Sequence, residues 1–156
     1  MTREQQIQYA IKAALEAEIE TAFAEADFSV KVHAVKIDNA PDDENDKERY
    51  PAVIINTSTP VPAGHKSRII EVPCWIRIMT YGPDDRKREQ FAYIAEVVFK
   101  VLHETDDWED FEDADKTLEI NAVVINSSEE PTTDGLLITQ TTNCAVNANL
   151  LETITS

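Results

Sequence analysis

A chain of 156 residues has the length of one domain and room for a real core, and its 42% apolar content excludes a wholly disordered polymer. Thirty Asp and Glu against fourteen Lys and Arg set the formal charge at −16. A field of that sign repels phosphate, which argues against a protein that reads DNA sequence, yet it suits a surface along which DNA slides without sticking.

The N-terminal MTREQQIQYA lacks the apolar core of a signal peptide, and no run approaches the ~20 apolar residues of a membrane span. The expectation is a soluble chain made in the cytosol. Residues 2–26 are expected to form one amphipathic helix. Thr2 and Gln5 have capping-box spacing, and Ile7, Ile11, Leu15, Ile19, Ala22 and Phe23 recur at three- and four-residue steps to form one apolar stripe.

VKVHAVKI (30–37) alternates and is rich in β-branched residues, as a strand should be. DNAPDDENDKERYP (38–51) is a charged loop. AVIINTS (52–58) is a short, nearly unbroken apolar run, the pattern of a strand covered on both faces. STPVPAGHKS (58–67) holds two prolines and one of only three glycines, marking a turn or hairpin tip. RIIEVPCWIRIMTY (68–81) is the longest strand signal. In its second half Cys74, Ile76 and Ile78 point one way, while Trp75, Arg77, Met79 and Tyr81 point the other. Pro73 has no N–H for a ladder, so an edge position or a bulge is expected there.

GPDD (82–85) stops that strand, with Asp84 as the candidate N-cap of a second helix over 85–103. Its stripe is Phe91, Ile94, Ala95, Val98, Val101 and Leu102. An acidic stretch follows, and then two strands, TLEINAVVINS (117–127) and GLLITQTTNCAVNANL (135–150), joined by the polar turn SEEPTTD. The order α-β-β-β-α-β-β, without repeat or linker, predicts a single α+β domain over 1–156. Two helices should cover one face of a mainly antiparallel sheet of about five strands.

Chemistry is thinly represented. His33, His65 and His103 are the available imidazoles, and none lies in a nucleophile or metalloprotease motif. No glycine-rich phosphate loop is present. Cys74 and Cys144 are too few and too far apart for a disulfide framework, and each sits in a strand-like run where a buried free thiol is expected. Asp42, Glu44 and Asp46 have the alternate spacing of an EF-hand start. Lys47, however, stands where that loop needs glycine, and Val53 where it needs a bidentate Glu.

ETDDWEDFEDAD (104–115) packs eight carboxylates into twelve positions. Asp106, Asp107, Glu109, Asp110, Glu112, Asp113 and Asp115 are candidate oxygen ligands for Mg²⁺ or Ca²⁺, which leaves a metal-dependent hydrolase as one reading. The other is an acidic loop pinned to the sheet by Trp108 or Phe111, with its carboxylates facing solvent, a partner or a lumen. Basic residues cluster twice: His65, Lys66 and Arg68 at the hairpin tip and stem, and Arg86, Lys87 and Arg88 at the start of the second helix. Three cations in a first turn oppose the helix macrodipole, so either a complementary acidic surface favours them or they are ordinary solubilising charge. Trp75 and Tyr81 belong either to a sheet face that meets a partner or to the core under a helix.

The order of elements, the stretch RYPAVIIN at 49–56, and the run PCWIRIMTYGPDDRKREQFAYIAEVVFKVL at 73–102 resemble the tail terminator (tail completion) proteins of long-tailed bacteriophages. The resemblance covers nearly the whole chain. It implies an α+β fold assembled as a hexameric ring on the last ring of the tail tube, stopping tube polymerisation and presenting the surface to which the head attaches. The implied partners are further copies of the chain, the tube protein and the head–tail connector, with DNA only a passing, non-specific occupant of the channel. The implied location is the virion, in the tail or neck. No catalytic residue, cofactor or metal is implied, and another neck or head–tail joining protein is the neighbouring reading. Contacts between copies or with the tube are expected at Arg86, Lys87 and Arg88 or at His65, Lys66 and Arg68, and Trp75 or Tyr81 is expected on the sheet face away from the helices, where a partner or the lumen meets it. The carboxylates of Asp106, Asp107, Glu109, Asp110, Glu112 and Asp113 face a partner or the lumen.

Overall fold

The first helix, α1 (Arg3–Ala22), starts where the sequence provides a cap. The Thr2 hydroxyl accepts from the Gln5 N–H at 3.2 Å and the Gln5 amide oxygen accepts from the Thr2 N–H at 2.9 Å, closing the expected capping box. Ile7, Ile11, Leu15 and Ile19 of the stripe are buried, with Ala10 and Ala14 between them. The helix ends at Ala22 instead of residue 26, and Ala22 is exposed. There the chain turns so that Phe23 packs on Phe28, ring centroids 5.3 Å apart, over the end of the core.

The computed structural model describes residues 2–26, 28–34, 50–58, 61–62, 68–82, 84–112 and 116–151. The loop over 38–51, and with it Asp42, Glu44, Asp46 and Lys47, lies outside them except for Tyr50 and Pro51. The strands are β1 (Lys31–Ala34), β2 (Ala52–Thr57), β3 (Val61–Pro62), β4 (Ile69–Tyr81), β5 (Leu118–Ser128), β6 (Thr132–Asp134) and β7 (Leu137–Leu150). The second helix is α2 (Asp84–Glu104). The main path of the sheet is β1-β2-β4-β7-β5, with β3 beside β4 and β6 beside β7. Only β1 and β2 run parallel among these described pairs. The fold is α+β, with both helices on one face.

Which face they cover follows from period two along β2 and β4. Val53, Ile55, Ile70, Val72, Cys74, Ile76 and Ile78 share one core with the α1 stripe and with Ile94, Val98, Val101 and Leu102 of α2. All six residues of β2 are buried, because Ala52 and Ile54 on its other side join a second, smaller cluster with Tyr50 and Met79. Polar clamps seat the start of α1. Gln8 Nε2 donates to Thr57 Oγ1 at 3.0 Å; Gln6 donates to Thr117 Oγ1 and accepts from the Thr117 N–H, both at 2.8 Å. Buried amides paired in this way fix where the helix stands on the sheet.

Three local expectations are corrected. Pro73 is neither at an edge nor in a bulge: β4 is central, and its register with β7 is unbroken from Ile69↔Asn149 to Tyr81↔Leu137. The missing N–H is harmless because it points toward β2, which ends at Thr57. Just beyond that end, Ser58 N–H donates to Pro73 O at 2.8 Å. Asp84 is already within α2 and so is not its N-cap. The turn SEEPTTD contains β6, which lies against β7 through a two-residue turn at Gly135–Leu136, with Gly135 at φ +59°. A primed hairpin turn requires that positive φ, and an L residue there is strained.

Ile55 has no exposed surface and lies between α1 and the middle of the sheet. Ile55→Ala is expected to lower unfolding free energy by about 2–5 kcal/mol through lost transfer energy and a cavity. Tyr93→Ala, at a side chain 50% exposed on α2, should change it by less than about 0.5 kcal/mol. Urea denaturation of both variants checks the contrast.

Candidate interface surfaces

Alternate residues of β4 face away from the helices, and they carry the least ordinary side chains of the sheet. The Arg77 guanidinium carbon lies 4.6 Å from the Trp75 ring centroid, and Arg77 Nε donates to Thr141 Oγ1 on β7 at 3.0 Å. One end of the cation is held over the ring while the fork keeps further donors. Tyr81 stacks on Tyr50, centroids 5.6 Å apart and planes 17° apart. Trp75, Tyr81 and Leu137 border the small cluster of Tyr50, Ala52, Ile54 and Met79, each only partly buried. The alternative left open by the sequence is thus decided: Trp75 and Tyr81 are on the face opposite both helices.

This open face has little net charge for so acidic a chain. Along β7 it presents Thr139, Thr141, Asn143, Ala145, Asn147 and Asn149, the direct partners of outward β4 residues. Asn143 reaches Ser127 and Asn149 reaches Asn121 on β5, each at 3.3 Å. Among the described strand residues registered onto the face, the charged ones are Lys31, Glu71, Arg77, Glu119 and Asp134. Two cations against three anions leave a sum of −1.

The described members of the two basic clusters are not brought together. His65 and Lys66 lie outside the described residues, and Arg68 is exposed just before β4, where its carbonyl accepts from Leu150 N–H at 2.7 Å. Arg86 and Lys87 stand in the first turn of α2, where the description is of the backbone, and Arg88 is exposed beside them. Since β4 separates Arg68 from α2, thirteen strand residues put Arg68 on the order of 40 Å from the start of α2.

The acidic stretch lies beyond the other end of α2. Trp108 opens a single 3₁₀ turn (Trp108–Phe111), is 1% exposed, and meets Phe111 edge-on at 6.3 Å, so the stretch is pinned to the core as expected. Asp107 Oδ1 caps the turn by accepting from Glu109 N–H at 3.1 Å. Asp106, Asp107, Glu109 and Asp110 are exposed; Asp113 and Asp115 lie outside the described residues.

Glu112 corrects the expectation of an outward-facing row. Its carboxylate is turned inward, accepting from Ile120 N–H on β5 at 2.8 Å and meeting Lys116 Nζ at 2.9 Å. The ion pair and its hydrogen bond hold the Lys116 amine above its ordinary range. The Glu-x₃-Lys spacing was the available signal, hidden among its acidic neighbours. Arg77, the other residue missed as a site, was legible only as an alternation with Trp75.

Among the described residues no group of three or more His, Cys, Asp or Glu is arranged to hold a metal, and no helix is long and apolar enough to cross a membrane. A hollow of about 390 Å³ lies at the end of α1 between Ile19, Phe23, Phe28 and Val30, with Glu16 and Glu20 at its border. No protein-family model matches the chain, and no curated protein matches it in sequence.

The division within the acidic stretch is testable. Glu112→Ala removes the acceptor of a β5 N–H and the partner of Lys116, with an expected cost of about 1–3 kcal/mol. Asp110→Ala, at an exposed carboxylate, should change stability by less than about 0.5 kcal/mol. Thermal or urea unfolding of the two variants distinguishes a structural acid from one free to meet a partner.

Proposed function

We propose that this protein is a structural component of a phage tail, a terminator that assembles as a ring on the end of the tail tube. The ring stops tube polymerisation and receives the head through its connector. The observation that carries this reading is the charge polarity of α2. Arg86, Lys87 and Arg88 sit at its N-terminus, and Glu104, Asp106, Asp107, Glu109 and Asp110 at and beyond its C-terminus.

A helix already bears partial positive charge at its N-terminus and negative charge at its C-terminus; the acids beyond the C-terminus carry the sign that its dipole disfavours, and at the N-terminus Arg86, Lys87 and Arg88 outnumber Asp84 and Asp85, which suit it. Some relief is local, since His103 is in the last turn, but Lys100 is drawn to Glu18 of α1 at 2.7 Å. With 21 residues, α2 holds the two ends about 30 Å apart, too far to neutralise each other within one copy. Between copies they are complementary. A head-to-tail contact joining the basic start of one helix to the acidic turn of the next is heterologous, and such contacts close into rings when the rotation permits.

The open sheet face supports the same reading. A chain of charge −16 meets repulsion wherever copies approach, and the face of Trp75, Arg77 and Tyr81, with a sum of −1 over its described strand residues, adds little to it. The remaining acid suits a passage for DNA, which slides fastest along a wall that does not bind phosphate.

Two measurements test it. Lysates of a phage lacking the gene should show tails of abnormal length without attached heads; normal tails bearing heads would overturn the proposal. Reversing Arg86, Lys87 and Arg88 to Glu should abolish rings in light scattering on purified protein, or on tubes if rings form only there. Reversing Asp106, Asp107, Glu109 and Asp110 to Lys in the same chain should restore them. Rings that persist in the first variant would remove α2 from the contact.

A further inference from the structure

Cys74 and Cys144, separated by most of the second half of the chain, are direct partners across β4 and β7. Both are buried, 4% and 2% exposed, and both belong to the core beneath the helices. Neither is bonded to another cysteine.

The pairing type follows from the ends of the ladder. Leu150 N–H donates to Arg68 O at 2.7 Å and Gly82 N–H to Leu136 O at 2.9 Å. Both bonds join residues directly opposite each other, and the register between them is unbroken. Even-numbered β4 residues are therefore the hydrogen-bonded pairs with β7, Cys74 among them. In such a pair the Cα atoms are about 5.5 Å apart, within the range that a disulfide spans. The Cβ atoms of this pair type are wider apart than a relaxed disulfide prefers, so the bond needs a small local approach of the strands. The two thiols shift in opposite directions: interaction with Cys144 and burial push the Cys74 thiol well up, while interaction with Cys74 favours ionisation of Cys144.

We propose that Cys74 and Cys144 form a reversible dithiol–disulfide couple, closed within the native sheet by a small hydroperoxide. The Cys144 thiolate attacks the peroxide. An S–O bond forms as the O–O bond breaks, and one water leaves with the thiol proton. Cys74 sulfur then attacks the sulfenic acid, the S–S bond forms as the S–O bond breaks, and a second water carries off the remaining proton. Two thiols and one hydrogen peroxide give one disulfide and two waters. Each sulfur loses one electron, and the peroxide oxygens take up both. Bulky oxidants are disfavoured because a mixed disulfide has no room in this core. The strain of the site makes the bond more easily reduced than a structural disulfide, so the couple is suited to reversal and not to permanent stapling. This inference does not depend on the tail reading.

The test uses the whole folded chain treated with millimolar hydrogen peroxide under native conditions. A mass fall of two, a cross-link between the peptides holding residues 74 and 144, and reversal by dithiothreitol are expected. Closure should outpace thiol labelling by the bulky reagent dithionitrobenzoate by at least about tenfold, and the melting temperature should rise by about 3 °C or more. Oxygen addition at the cysteines, thiols that survive after Met1 and Met79 are oxidised, or closure no faster than labelling would each overturn the proposal. Cys74→Ser must abolish the mass fall; if it does not fold, the wild-type rates decide alone.

Discussion

The register between β4 and β7 is the constraint on which the rest of this structure depends. Thirteen consecutive residues of β4 face thirteen of β7 without a bulge, so every side chain of the sheet's middle is assigned to one face or the other. A slip of one residue would place Trp75 and Arg77 beneath the helices and turn Ile76 and Ile78 to the open side. That arrangement would bury a guanidinium where α1 and α2 offer apolar stripes. Pro73 is tolerated in such a central strand because its lost donor points to where β2 has already ended.

With the register set, the two faces take different roles. One is sealed by the helices and clamped by Gln6 and Gln8, whose amides find Thr117 and Thr57 at the two sides of α1. The other combines aromatic rings, a cation held by a ring and a hydroxyl, and a row of Thr and Asn. The charge is sorted in the same manner. It is dense at the ends of α2 and sparse across the described strands of the open sheet face.

The acidic stretch shows how similar residues separate by function once folded. Its aromatic anchor, Trp108, is buried as a core residue, and the 3₁₀ turn it starts directs neighbouring carboxylates in different directions. Asp107 serves a backbone N–H of the turn, Glu112 serves β5 and Lys116, and Asp106, Glu109 and Asp110 stay in solvent. As a run of letters it resembled a metal site or an acidic loop pinned by an aromatic residue. As structure it is partly a fastening and partly a charged edge.

Local physics made much of this legible from the sequence. The capping box of Thr2 and Gln5, the stripe of α1, the fully buried β2 and the alternation of β4 all arise from contacts three or four residues apart, or from a period of two, and these survive without knowledge of the fold. Elements whose identity depends on a distant partner were not legible. β6 was concealed in a polar turn because its partner is β7, and its one clue was the Asp134-Gly135 step that enters the turn. The inward turn of Glu112, the stacking of Arg77 and the meeting of Cys74 with Cys144 also depend on which strand lies beside which. Sequence periodicity specifies that β4 has two faces, but both were apolar enough to be core. The choice belonged to the tertiary structure, because only the packed helices decide which face loses its water.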